Sequence, residues 1–126
     1  MTTTPLSIAA QFGNVQEVLA LIEAGADINV CNHIGWTPLY MAAGNGHDGV
    51  VKALIAANVD IDKTDDIGWT PLLKATEYGR ETTVQILIEA GADINKASYS
   101  GMTPLINAVL KGRETILKML SKAGAV

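Results

Sequence analysis

A single cysteine, Cys31, occurs among the 126 residues, so no disulfide can form within the chain. Such a chain suits a reducing compartment, the cytoplasm or the nucleus. Histidine is nearly as scarce, with His33 and His47 alone. With one thiol they make no zinc site unless acidic residues join them, and neither metal nor cofactor is expected. No apolar run reaches the length of a membrane span. The start, Met1-Thr2-Thr3-Thr4, lacks the basic residues and apolar stretch of a secretory leader. Basic residues are outnumbered, and the net charge of −4 opposes non-specific binding of nucleic acid. What is present is apolar: 48% hydrophobic residues and a mean hydropathy of +0.24 supply a core for one domain and exclude disorder.

Proline is also rare, and its placement reveals the organisation. All four prolines stand in Thr-Pro-Leu, at Thr4-Pro5-Leu6, Thr37-Pro38-Leu39, Thr70-Pro71-Leu72 and Thr103-Pro104-Leu105, each 33 residues from the last. Gly13, Gly46, Gly79 and Gly112 keep the same period, as do Leu21, Leu54, Leu87 and Leu120. An internal period of this length marks a repeat architecture. The repeats run over residues 1–33, 34–66, 67–99 and 100–126, in one domain spanning 1–126.

Each recurring residue has a physical role. Thr before Pro starts a helix: Thr accepts from a backbone N–H, and Pro at the first helical position has no N–H to leave unbonded. The pattern predicts first helices over residues 5–12, 38–45, 71–78 and 104–111, each ended by the periodic Gly. Second helices follow over 15–24, 48–57, 81–90 and 114–123, with apolar residues such as Val51, Leu54 and Ile55 at helical spacing. Gly25, Gly91 and Gly124 end them, and Asn58 takes that place in repeat two. Asn is the next best residue for a left-handed cap.

These residues resemble the ankyrin repeat, a projecting turn followed by two antiparallel helices. The resemblance rests on Gly68-Trp69-Thr70-Pro71-Leu72, Gly46-His47 and Ile88-Glu89-Ala90-Gly91-Ala92-Asp93-Ile94-Asn95, and covers essentially the whole chain. It implies an all-α repeat solenoid of stacked helix-turn-helix units with projecting β-turn loops. The family usually has His after Thr-Pro-Leu, where Ser7, Tyr40, Leu73 and Ile106 stand here. That departure bears on the His's hydrogen bonding and not on the fold.

A stack needs polar outer faces on its end repeats. Glu17 replaces the apolar residue found at Val50 and Ile116, and Ser121 with Lys122 replaces the row Ile22, Ile55, Ile88. The expectation is a closed four-repeat domain, although Thr83 is polar at the Glu17 position inside the array.

Motifs that suggest chemistry fit poorly. Gly44-Asn45-Gly46-His47-Asp48-Gly49 matches a dinucleotide fingerprint but falls between two short helices, without the strand and long helix that motif needs. Asp60, Asp62, Asp65 and Asp66 would place Asp65 at the sixth and Pro71 at the twelfth position of a calcium loop, where Gly and Glu are required. They are expected on a solvated loop face, where a basic partner would match them. Cys31 and His33 lack an orienting third group, so no catalytic residues are assigned and an enzyme is not expected.

The resemblance implies that another protein binds the concave face formed by the turns and first helices. The chain would then act as an adaptor, scaffold or inhibitor and work as a monomer, or serve as the interaction domain of a larger enzyme, channel or bacterial effector. The aromatics point to the same side. Trp36 and Trp69 share one repeat position, where repeat four has Met102. Phe12 and Tyr78 lie late in their first helices, and Tyr99 at a turn tip. Only Tyr40 falls off this row. Aromatic side chains dominate interface hot spots. Trp36, Trp69, Met102, Tyr78 and Tyr99 are therefore the candidate anchors, with Ile34 and Ile67 beside them. Asp65, Asp66 and Glu77 would steer the partner. Phe12, His33, Asn45 and Lys111 complete the candidate surface. The alternative role for the Trp rings is to pack on one another and on neighbouring turns.

Overall fold

Every Thr-Pro-Leu starts a helix. In the computed structural model, which describes residues 3–126, the first helices are α1 (Pro5–Phe12), α3 (Pro38–Asn45), α5 (Pro71–Glu77) and α7 (Pro104–Leu110). Met1 and Thr2, counted in the first repeat, lie outside the described residues. The hydroxyls of Thr4, Thr37, Thr70 and Thr103 each accept from the backbone N–H three residues on, at 3.1 Å. Each bond satisfies a helix N–H that has no partner within the helix.

The second helices are α2 (Val15–Glu23), α4 (Asp48–Ala56), α6 (Glu81–Glu89) and α8 (Glu114–Lys122). Left-handed residues end the helices at the predicted places, Asn58 included at φ 65°. Each first helix packs on its own second helix, and successive first helices pack on one another. The second helices form a parallel layer behind them. Among the described residues there is no strand, and the fold is the all-α repeat solenoid that the resemblance implies. Nor is any helix among them long and apolar enough to cross a membrane.

Leu54, Leu87 and Leu120 are fully buried, as are Val18, Val51 and Val84, so the core runs unbroken along the stack. Each such side chain contributes about 1.5–3 kcal/mol by leaving water. Polar bonds fix the spacing between repeats. His47 Nε2 lies 3.0 Å from the Gln11 carbonyl, Arg80 Nε donates to the Gly44 carbonyl at 3.0 Å, and Arg113 donates to the Glu77 carbonyl at 2.8 Å. Thr83, polar inside the array, donates its hydroxyl to Asp48 of the preceding repeat.

The polar ends expected from the sequence appear in one layer only. Glu17, Ser121 and Lys122 are exposed on the second helices. The first helices end differently. Ile8 and Phe12 are exposed at one end, and Ile106, Val109 and Leu110 at the other. The reason is register. Asn107 donates back to the Leu73 carbonyl, so its helix position faces the preceding repeat, and Ile8 holds that position in the first of the described repeats. At the other end, Ile106 and Val109 stand where the buried Leu73 and Thr76 stand one repeat earlier.

Candidate functional site

Asn32, Asp65 and Ser98 open successive turns, one repeat apart. The Asn32 side-chain oxygen accepts from the N–H groups of Ile34 and Trp36 at 3.0 and 2.9 Å. Asp65 does the same for Ile67 and Trp69, at 3.0 and 2.9 Å. The Ser98 hydroxyl accepts from the Met102 N–H at 3.1 Å. Short polar side chains favour such turns because they imitate a backbone acceptor. Adjacent turns are then tied by the backbone: Asp66 N–H donates to the Ile34 carbonyl at 3.2 Å, and Tyr99 N–H to the Ile67 carbonyl at 3.1 Å. Trp36 and Trp69 are thereby held at equivalent places on neighbouring hydrogen-bonded turns.

Between them lies a depression of about 310 Å³. Ile34 and Trp36 form one wall, and Ile67 and Trp69 the other. Glu77 and Tyr78, from the end of α5, line it together with Asp65 and Asp66. A second depression of about 300 Å³ adjoins it, lined by Asn45 as well as Trp36 and Tyr78. Most of the residues named from the sequence thus converge on one groove over repeats two and three.

Two further residues line the groove that sequence reasoning missed. Lys74 places its ammonium 4.7 Å from the Trp36 ring centre, 4.9 Å from Tyr78 and 5.4 Å from Tyr40. An ammonium over a ring face is attracted by the ring's quadrupole. Gly44 makes the room, since a Cβ there would stand 2.9 Å from Lys74 Cγ. The glycine of the supposed dinucleotide motif is therefore a packing residue.

The other missed residue is Tyr40, set aside in the sequence and found on the groove floor at 2% exposure. Its ring meets Trp36 at 5.4 Å between centres, tilted by 41°. This contact takes the place of the Trp–Trp packing considered above. The Tyr40 hydroxyl donates to Asp65 Oδ2 at 2.6 Å. Burial, and after it the bond to Asp65, hold that hydroxyl well above the usual tyrosine range, so it remains a donor. Asp65 itself corrects an expectation. It is 6% exposed, with one oxygen in the turn and the other on Tyr40, so it stabilises the floor and does not meet solvent as a steering charge.

Other candidates lie apart. Phe12, 72% exposed, sits with Pro5 and Ile8 on the outer face of repeat one. Its position faces a preceding repeat, so it cannot reach the groove over repeats two and three. Tyr99, 78% exposed, lines a separate shallow depression with Ile67 and Trp69, beyond the second wall. Met102 is half-buried under the last turn, and His33 is exposed on the first. Lys111 reaches Glu77 at 3.3 Å from the far side of α5.

Comparison with known families agrees with the geometry. A family model described as ankyrin repeats (3 copies) matches residues 2–65 and again residues 51–126. No curated protein matches the chain.

Proposed function

The chain belongs to the ankyrin-repeat family, and from that premise we propose that it binds another protein in the groove between Trp36 and Trp69, as an adaptor, scaffold or inhibitor. Ankyrin repeats are in general protein-interaction modules and typically not catalysts. One observation carries the assignment to this groove: aromatic and aliphatic side chains from two turns and two first helices converge on a single exposed depression. The turns are hydrogen-bonded internally and to each other before binding, which lowers the entropy lost when a partner docks. Large rings in a central pocket are the side chains that carry most of an interface's energy.

In this reading the partner carries a basic patch, matched by the net charge of −4 and by the carboxylates of Asp66 and Glu77 at the groove. Residues 1–126 act as one domain, monomeric, in the cytoplasm or nucleus. The groove residues Ile34, Trp36, Asp66, Ile67, Trp69 and Tyr78 make the main contacts, with Asn45 beside them.

The test is affinity capture from the native cell lysate, with the Trp36→Ala/Trp69→Ala double variant as control and the melting temperature measured in parallel. The expected result is a specific partner lost from the variant while the fold persists. Retention of that partner with only a lowered melting temperature would assign the Trp rings to stability alone.

A further inference from the structure

The groove already holds a cation, and that cation is the chain's own. Lys74 lies over three ring faces, Trp36, Tyr40 and Tyr78. The one ion pair among the described residues is Lys111 with Glu77, so it is rings and not a carboxylate that position the Lys74 ammonium. Resting on the groove assignment above, we propose that this ring cluster is the site for a lysine or arginine side chain from a basic segment of the partner, and that Lys74 is the resident occupant it displaces.

Two features fit a cation and disfavour an anion, and a third gives it room. The ring faces that hold Lys74 present negative quadrupole density, and Trp69 on the opposite wall adds an indole that no internal cation covers among the described residues. Asp66 and Glu77 put carboxylates at the groove and Asp65 lies beneath it; Lys111 pairs with Glu77, which leaves the two acids Asp65 and Asp66 against the one groove base, Lys74. Displacing Lys74 into solvent leaves that negative surplus for the incoming charge. The depression, about 310 Å³, has room for one long side chain without movement of the turns.

Displacement is also mechanically simple. Lys74 is only partly buried and sits on an unbranched stem, so its head can move into water while the stem stays on the ring wall. The seam one repeat further on cannot do this. There Asn107, Leu73, Lys111 and Met102 replace Lys74, Tyr40, Tyr78 and Trp69. Of these two seams, the one between repeats two and three alone carries the cation site.

The test uses the whole chain and end-blocked tetra-arginine, tetralysine and tetraglutamate peptides, followed by tryptophan fluorescence at low salt. Lys74→Ala opens the rings, and Lys74→Gln keeps the bulk without the charge, should the alanine variant unfold. The basic peptides are expected to bind and the acidic one not to. Affinity for the basic peptides should rise roughly twofold to fivefold when Lys74 loses its charge, the range of one partly exposed cation–ring contact. Asp66→Asn should lower it. Weaker or unchanged binding of the basic peptides in both folded Lys74 variants, or a preference for tetraglutamate, would overturn the proposal. If the lysate partner depends on Trp36 and Trp69 while basic peptides ignore Lys74, the cation site fails and the groove assignment stands. If the partner ignores both Trp residues, the groove assignment itself fails.

Discussion

Between repeats two and three, Tyr40 reaches across to Asp65 with a bond of 2.6 Å, and Lys74 lies over Trp36. One repeat later the same positions are Leu73, Ser98, Asn107 and Trp69. Leu73 is fully buried and offers apolar contact alone, Ser98 turns its hydroxyl to its own turn, and Asn107 makes a single 3.4 Å bond to the Leu73 carbonyl. The caps, turns and helix layers of the two seams are alike. Their difference teaches that the repeat frame fixes where side chains stand, while a few positions per seam decide whether the surface is a groove. Only the first seam spends its variable positions on rings and a cation.

Breaking the plainer seam should cost the most stability. Leu73→Ala removes a fully buried side chain and is expected to cost about 2–5 kcal/mol in urea unfolding. Tyr40→Phe should cost about 1–3 kcal/mol, because Asp65 is left buried without its cross-repeat donor. This second loss carries a pH signature. The folded Tyr40 hydroxyl titrates above its unfolded value, so its contribution is intact below about pH 10 and declines as pH rises beyond that. The gap between the native chain and Tyr40→Phe should therefore narrow in alkali, measured by urea unfolding across that range. The smallest effect belongs to the link between the seams: Lys111→Ala breaks a partly exposed pair with Glu77 and should change stability by under about 1 kcal/mol.

The frame was legible because each of its demands falls on a residue type. Thr before Pro, a left-handed residue at Gly13 or Asn58, and leucine every repeat are local requirements, and the structure meets them where the period puts them. Much of the groove was legible as well, since Trp36 and Trp69 repeat on one side of the turn. The rest depended on which neighbour each helix position faces. Asp65 looked like one acid in a run of solvated acids. The signal that would have separated it is its equivalence to Asn32 and Ser98, all able to accept from turn N–H groups. Lys74 looked like an ordinary polar helix residue, and only the stacking of α5 on α3 brings it to Trp36, 38 positions away in sequence. The ends are polar, as the sequence indicates, on the second helices alone; the exposed apolar residues Ile8, Phe12, Ile106, Val109 and Leu110 lie on first helices, at positions whose neighbours only the stacking defines.

The central claim is that binding belongs to the seam with the rings, and one titration separates the seams. The captured partner, purified, is titrated calorimetrically against the native chain and against Trp36→Ala, Trp69→Ala and Met102→Ala, the last at the equivalent place in repeat four. The expected result is a loss of about 2 kcal/mol or more for each Trp variant and under about 1 kcal/mol for Met102→Ala. Equal losses at all three positions, or native affinity in both Trp variants, would contradict it.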